Sequence, residues 1–543
     1  MINSLVNDTT AGRNMQNKAA GQTDVWRVGA IAFAVAITAW ITFLYFSPPR
    51  ILSGDVTCFK DPGINLAQGR GLVELVTPGN PTLTPKFYAN YPPLFPAVYG
   101  LYVSRFGVSG TADEIFDLIV SAGAAILFWF FVTPQYADRR ERIPSLILLG
   151  ILIMMLPVGP FWTQRERPDS LGLIVMIASL WVAHTRLTPK RAFLATFIAG
   201  IGCLISPFTF VMNGIALGWI FLLEGGPLLP LRGPRTMRLL TLVAAACVGV
   251  IIPLASLFAI LWINDPDWVT RFLGNAMGKA TGGRSGTGYL TSLMAGDFRT
   301  YFGAFSRFDS FRYKWMLAHL LFVVVVTSLY LIRKSTPHSR WQLLATLSLA
   351  AVPLVVFPYQ PCYMSLTAAM VLILFALLDG QAKRPATLSR IWVTTTGLAF
   401  IALVAAPFML REFVIAFDSR ESYQRTLAMI REIKSDPDNS IHLVATTSGT
   451  YFPFKQAGFE AVEIAYLQRA EDIAKVDIFA VNTLGASDGA PPQFPDWWIA
   501  DQMEPVHLAS KGRDGAMIPD MKLFGVTLFR RRSWEPDLFR HKQ

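Results

Sequence analysis

Acidic side chains that could carry chemistry lie at the ends of strongly apolar segments of this sequence. Asp55 and Asp61 follow the first such segment, and Asp169 opens a later one. A carboxylate beside an apolar surface can act as a general base, because reduced solvation raises its pKa and a nearby arginine lowers it again. We therefore predict that Asp55 and Asp169 are catalytic and that Asp61 contacts substrate. Loop acids are also ordinary solvated groups, and this alternative stays open for Asp61.

Four basic side chains are candidates for holding a phosphate group. Arg165 and Arg167 stand just before Asp169, and a guanidinium can fork onto phosphate oxygens. Lys279 and Arg284 lie in a glycine-rich segment. That segment lacks the ending and the strand–helix setting of a phosphate-binding loop, so we interpret it as a flexible segment able to close over substrates. We predict that all four cations bind phosphate.

Two tyrosines, Tyr91 and Tyr359, are predicted to contact substrate. Each offers a hydroxyl group and a flat ring face that can contact a bound ligand. Aromatic rings at the membrane interface are also typical of membrane proteins in general, so packing is the alternative interpretation.

The composition indicates a membrane protein. Of the 543 residues, 52% are hydrophobic and 16% are charged, whereas soluble domains carry about 25% charged residues. This balance excludes both an ordinary soluble protein and a disordered chain. The net charge of +11 reflects basic clusters between apolar segments and does not indicate a nucleic-acid partner. The four cysteines are too few for a disulfide scaffold, and none has metal-finger spacing.

The apolar segments predict about eleven transmembrane helices, each of about 20 residues. Pro207 divides the stretch 191–223, although one long kinked helix is the alternative interpretation. The predicted spans are 28–46, 115–133, 143–160, 169–185, 191–206, 208–223, 238–263, 315–332, 341–357, 361–379 and 391–410.

The distribution of lysine and arginine predicts the orientation in a plasma membrane, interpreted as a bacterial inner membrane. The N-terminal tail and every second loop after it contain clusters of lysine and arginine, which predicts that the N-terminus lies in the cytoplasm. An odd number of spans then places the C-terminus outside. Arg165 and Arg167 are an exception, because they form a basic pair on the extracytoplasmic side. We interpret this exception as a sign of function.

Three domains are predicted for an all-α polytopic membrane protein with an α/β tail. Residues 1–27 form a cytoplasmic tail, and 28–410 form the transmembrane domain, with outer loops at 47–114 and 264–314. Residues 411–543 form a small extracytoplasmic α/β domain. Its predicted strands are rich in β-branched and aromatic residues and lie at Ile441–Thr447, Val476–Val481 and Lys522–Phe529.

One set of motifs resembles a known family. Asp55 follows the first span, then come Phe59 and the segment from Asn65 to Gly71, and the segment from Asn90 to Pro96 leads into the second span. This order is similar to that of the GT-C superfamily of integral-membrane glycosyltransferases. The branch it resembles contains the protein O-mannosyltransferases and the aminoarabinose transferases of lipid A.

The resemblance implies a reaction on the extracytoplasmic face. A polyprenyl-phosphate sugar would be the donor, and a hydroxyl of a lipid, polysaccharide or protein would be the acceptor. Asp55 would take the hydroxyl proton in a single inverting displacement, and cations would stabilise the departing phosphate. The membrane lipid itself is a further partner.

Two departures from the family pattern keep other possibilities open. Val56 stands where many relatives carry a second acid, so a divalent cation near Asp55 is left unsettled and no cofactor is assigned. Ser206 and Pro207 stand where many relatives carry a lysine. The alternative functions are a flippase or transporter of lipid-linked sugars, and a catalytically silent glycosyltransferase subunit. The central portions of the predicted spans contain no Asp, Glu, Lys or Arg, which argues against ion-coupled transport.

Overall fold

The structure is a computed structural model that describes part of the chain. Apart from short gaps, it describes residues 58–136, 167–268 and 442–482. It also describes shorter pieces within 27–38, 344–349, 366–377, 427–435, 503–505 and 526–531.

The chain divides into two compact units. One unit contains Met1–Ile41 and Asp117–Met409, and the other contains Thr42–Phe116 and Leu410–Gln543. The first loop therefore groups with the C-terminal tail. The domain boundaries predicted from the sequence instead place residues 47–114 in the transmembrane domain. The difference arises from contacts between residues far apart in the chain, which hydropathy does not reveal.

Five long helices cover several predicted spans. They are α3 (Gly110–Tyr136), α4 (Asp169–His184), α5 (Pro189–Ile205), α6 (Pro207–Glu224) and α7 (Pro234–Asn264). By length and composition, two stretches in the described part of the chain could cross a membrane, Gly110–Pro134 and Met237–Asn264. Two shorter apolar helices are Asp169–His184 and Pro207–Leu222. The predicted spans 143–160, 315–332 and 391–410 lie outside the described residues, so the number of spans stays a prediction.

The predicted helix break at Pro207 is confirmed. Ser206 is extended, with φ −157° and ψ 127°, and it ends α5 while its amide donates to the Gly202 carbonyl over 2.8 Å. Pro207 then begins α6. Because proline disfavours helical backbone in the residue before it, the local sequence produces two helices rather than one.

Close packing joins α5 to α7 in the helical unit. Gly249 lies on α7, and a Cβ atom there would overlap the Phe193 carbonyl oxygen and the Thr196 hydroxyl of α5. Glycine therefore permits the approach of the two backbones. The buried Thr196 hydroxyl is satisfied because it donates to the Ala192 carbonyl of its own helix over 2.8 Å.

The first loop is a compact assembly of two helices and a hairpin. Its elements are α1 (Asp61–Ala67), β1 (Val73–Glu74), β2 (Lys86–Phe87) and α2 (Leu94–Phe106). The strands β1 and β2 pair in antiparallel fashion. Gly63 of α1 and Gly100 of α2 face each other, since a Cβ atom on Gly100 would come within 2.7 Å of the Gly63 carbonyl oxygen.

The tail contains a five-stranded mixed sheet in the order β4-β3-β5-β7-β6. Its strands are β3 (Leu443–Thr446), β4 (Glu460–Glu463), β5 (Ile478–Asn482), β6 (Met503–Pro505) and β7 (Val526–Arg531), and two of its helices are α8 (Ser448–Gln456) and α9 (Ala470–Ile473). The strands β4, β3 and β5 are parallel, while β7 is antiparallel to β5 and β6. The three strands predicted from sequence correspond to β3, β5 and β7.

The first loop completes the hydrophobic core beside this sheet. Leu75 and Val76, which follow β1, are buried together with Ala445 of β3, Val462 of β4 and Phe479 of β5. Burying such apolar area is the main favourable contribution to folding. The first loop and the α/β tail therefore share one hydrophobic core.

Candidate active-site region

The described residues include four of the nine predicted site residues, namely Asp61, Tyr91, Arg167 and Asp169. The other five lie outside the described residues; they are Asp55, Arg165, Lys279, Arg284 and Tyr359. Among the described residues, no group of three or more His, Cys, Asp or Glu side chains could hold a metal ion. A cation beside Asp55 therefore stays an expectation from sequence.

Arg167 and Asp169 form a buried ion pair at the start of α4. The Arg167 Nε donates to Asp169 Oδ2 over 3.0 Å, and the two side chains are 6% and 2% exposed. Asp169 is in the first turn of α4, where a negative charge is favoured by the helix dipole. The contact through Nε fixes the plane of the guanidinium group. The predicted contact of Arg167 with a phosphate stays a proposal.

Asp61 lies in a polar group that joins the first loop to the α/β tail and in which Asp61, Tyr451 and Lys455 are buried. We call this group the tether cluster; its members are Asp61, Arg70, Tyr451, Lys455 and Glu460. Lys455 Nζ lies 3.4 Å from Asp61 Oδ1 and 2.8 Å from Glu460 Oε1. The Tyr451 hydroxyl donates to Asp61, and Arg70 donates to Glu460. Two cations and two carboxylates thus balance within the cluster.

A further contact orients the second oxygen of Asp61. Asn65, one turn along α1, donates from Nδ2 to Asp61 Oδ2 over 3.1 Å and to the Val73 carbonyl over 3.0 Å. Both carboxylate oxygens therefore accept hydrogen bonds from protein groups. Asp61 therefore holds the first loop through both oxygens, and its predicted contact with substrate stays a proposal.

The tether cluster shifts the pKa values of its members. Burial raises the pKa of Asp61, and the Lys455 ammonium opposes this rise only in part. Burial and the neighbouring Asp61 carboxylate hold the pKa of Tyr451 well above its usual value. Burial also acts to raise the pKa of Glu460, but Lys455 and Arg70 outweigh it, and the net pKa is lowered. Tyr451 is therefore a hydrogen-bond donor at neutral pH.

A second buried ion pair holds the residue before Asp61. Lys60 Nζ lies 2.6 Å from Asp113 Oδ1 at the start of α3, and the two side chains are 0% and 2% exposed. The same ammonium lies 5.4 Å from the centre of the Tyr99 ring of α2. Lys60 therefore joins the beginning of α1 to α2 and α3.

Tyr91 packs against the chain immediately before α1. Its ring meets the Phe59 ring edge to face, with 4.9 Å between the centroids, and Tyr91 is buried. Aromatic pairs in this geometry contribute about 0.5–1.5 kcal/mol beyond the burial of area. The described position of Tyr91 thus supports the first loop, and its predicted contact with substrate stays a proposal.

The comparisons with solved structures give a likeness of fold. In fold, the chain is similar to ArnT. The ArnT structure from Cupriavidus metallidurans bound to undecaprenyl phosphate is 14% identical, with a TM-score of 0.49 over 83% of this chain and 87% of that chain. The apo structure of the same protein is 14% identical, with a TM-score of 0.48 over 82% and 86%.

The other two comparisons find nothing. No protein-family model matches the chain, and no curated protein matches it.

The sequence interpretation missed Lys60, Asp113, Tyr451, Lys455 and Glu460. Lys60 stands directly beside Asp61, but adjacency alone does not reveal that the two side chains pair with different elements. The partners Tyr451 and Asp61 are 390 residues apart in the chain. A single sequence contains no signal that could link them.

Replacing Glu460 by glutamine is expected to lower stability by about 1 kcal/mol at neutral pH, a small value because its side chain is 25% exposed. Because the folded state lowers the pKa of Glu460 below 4.5, the stabilisation is present above that pH and is lost as pH falls through the lowered pKa. The measurement is the free energy of unfolding of both proteins across this range. Glu471→Gln, at an exposed pair with Arg469, is the matched control. If the difference in the free energy of unfolding between the two proteins does not change with pH, the Glu460 carboxylate does not stabilise the fold through its charge.

Proposed function

We propose that the chain is an integral-membrane glycosyltransferase that uses a polyprenyl-phosphate sugar as donor. The acceptor is a hydroxyl group of an envelope lipid, a polysaccharide or a protein. The observation that carries the proposal is the first-loop motif, from Asp55 through Asn65–Gly71 to Asn90–Pro96, between predicted spans whose central portions contain no Asp, Glu, Lys or Arg. The ligand in the ArnT structure, undecaprenyl phosphate, is a lipid of the class proposed here.

The proposed reaction is a single displacement at the anomeric carbon. The acceptor oxygen forms the new bond while the bond from the anomeric carbon to the phosphate oxygen breaks. Asp55 takes the proton of the acceptor hydroxyl, and the electron pair of the broken bond stays on the phosphate. Free polyprenyl phosphate leaves, and the sugar is transferred with inversion.

The basic residues are proposed to stabilise the departing phosphate. Arg165, Arg167, Lys279 and Arg284 supply positive charge where negative charge develops. Asp169 holds the Arg167 guanidinium through its Nε atom, so the Arg167 fork is oriented before the donor arrives. Asp169 thereby contributes to catalysis through Arg167. Tyr91 and Tyr359 are proposed to contact the sugar.

The proposal also fixes a place and an orientation. The reaction occurs at the extracytoplasmic face of a bacterial inner membrane, with the N-terminus in the cytoplasm and the α/β tail outside. Nucleotide sugars are absent from that side, and this agrees with a lipid-linked donor. A long isoprenoid chain also requires an apolar environment, which the predicted spans supply.

The test is a transfer assay with the purified full-length protein in lipid vesicles. A panel of labelled polyprenyl-phosphate sugars and envelope extracts as acceptors is expected to give free polyprenyl phosphate together with a labelled acceptor. Movement of the intact lipid across the vesicle membrane, with the glycosidic bond preserved, would identify a flippase instead. If the protein neither releases polyprenyl phosphate nor moves the lipid with any donor, the result favours a silent subunit.

A further inference from the structure

We propose that Lys455 and Tyr451 are positioning residues for the first loop, the segment to which Asp55 belongs. They belong to α8 of the tail, yet they hold Asp61, the first residue of α1, and thereby fix the chain that carries Asp55. The inference rests on the proposed function, because it assigns to the α/β tail a part in the same reaction. The tail then sets the geometry of the base in addition to covering the loop.

The cost of burying charge favours this role over a purely stabilising one. Lys455 and Asp61 are 1% and 4% exposed, and the removal of two such charges from water is expensive. Buried ion pairs often stabilise a fold no better than apolar side chains of the same size, whereas their directional contacts specify one arrangement. In the tether cluster, one ammonium meets Asp61 of the loop and Glu460 of β4. Lys455 thus defines the register between α1 and the sheet.

Three consecutive residues at the start of α1 are each held by a different part of the chain. Phe59 packs on Tyr91, Lys60 pairs with Asp113, and Asp61 receives Tyr451 and Lys455. A sideways movement of α1 would therefore have to break contacts of three kinds. The α8 contacts are the ones that connect this short segment to the α/β tail.

Few residues separate this fixed segment from Asp55 in the sequence. Only Val56 and Thr57 stand between Asp55 and the buried Cys58. Three residues of extended chain span at most about 10 Å, so the covalent chain limits how far Asp55 can move when Cys58 is held. Since a displacement of about 1 Å at a reacting group can lower a rate about 100-fold, a loosened α1 affects catalysis directly.

The test combines kinetics with hydrogen–deuterium exchange in three variants of the full-length protein. Lys455→Met removes the ammonium, Tyr451→Phe removes only the hydroxyl, and Lys455→Arg retains the charge. For Lys455→Met and Tyr451→Phe we expect kcat to fall at least about tenfold, with KM for the donor within about twofold. Amides of 58–67 should exchange faster, while those of β3 and β5 stay protected. Lys455→Arg should recover most of kcat.

The matched control is Lys434→Met. Lys434 also lies in the tail, where it donates to the Gly458 carbonyl over 3.3 Å and covers the Phe459 ring at 4.8 Å. Gly458 and Phe459 lie between Lys455 and Glu460 in the chain, and both of these Lys434 contacts are therefore to tail residues. Its replacement should leave kcat and exchange in 58–67 at wild-type values.

The outcomes separate this inference from the proposed function. Wild-type kcat in both Lys455→Met and Tyr451→Phe, in a protein that transfers sugar, would overturn the positioning role and leave the function intact. Faster exchange in 58–67 without a change in kcat would also overturn it, because α1 would then be mobile without consequence. If Lys455→Met unfolds the tail, the kcat values of Tyr451→Phe and Lys455→Arg test the positioning role. Absence of transfer by the wild-type protein would instead contradict the proposed function.

Discussion

Asp55→Asn is expected to lower the rate of sugar transfer about 10²–10⁴-fold, which is the usual contribution of a proton-transfer residue. Asparagine has nearly the same shape as aspartate but cannot accept the proton of the acceptor hydroxyl. The donor should still bind, so KM for the donor should change little while kcat falls. The measurement is release of polyprenyl phosphate by wild-type and variant proteins at matched membrane concentrations.

The control for this experiment is Asp267→Asn. Asp267 is an exposed acid that follows α7, and its amide bonds with the side chain of Asp265. Its replacement should leave transfer at the wild-type rate. Retention of more than about a tenth of the activity in Asp55→Asn would exclude Asp55 as the general base, since that loss is smaller than general-base catalysis supplies.

Lys60→Met is expected to lower the free energy of unfolding by about 3–5 kcal/mol. The change leaves the Asp113 carboxylate, 2% exposed, without the ammonium that lies 2.6 Å away. Breaking one side of a buried pair costs this much because the remaining charge loses its compensation in a poorly solvated site. The measurement is denaturant unfolding of the protein in detergent, followed by the signal of the α/β unit.

A double variant distinguishes charge from packing at this pair. Lys60→Met combined with Asp113→Leu should recover most of the lost stability, because no uncompensated charge remains. Arg469→Met is the surface control, since Arg469 and Glu471 are 57% and 70% exposed, and it should change stability very little. A Lys60→Met protein as stable as wild type would show that the pair contributes nothing.

Local features of the sequence were sufficient to predict several elements. The break at Pro207 follows from the restriction that proline imposes on Ser206. The strands β3, β5 and β7 were predictable because β-branched and aromatic residues are concentrated there. The strand β4 begins and ends with glutamate, Glu460 and Glu463, so its composition does not predict a strand.

The strand β6 illustrates another limit. It contains Pro505 and lies at the edge of the sheet, where a missing backbone donor is tolerated. Proline in a short segment argues against a strand when only the sequence is known. Its place in the sheet depends on pairing with β7, from which it is distant in the chain.

The candidate site was predictable only where its residues are neighbours in sequence. Arg167 and Asp169 were singled out together, and the structure joins them in one ion pair. The tether cluster was not predictable, because lysine, glutamate and tyrosine in a C-terminal tail usually face solvent. Their burial depends on a loop that precedes them by 390 residues.

That separation has a consequence for the order of synthesis. At about 5–20 residues per second, the ribosome adds the residues between Asp61 and Tyr451 in about 20–80 s. During this time the first loop lacks its partners from the tail, and Leu75 and Val76 lack the sheet that covers them. The loop therefore reaches its final arrangement only after the tail has been synthesised. A nascent chain halted before that point would lack the contacts that complete the first loop.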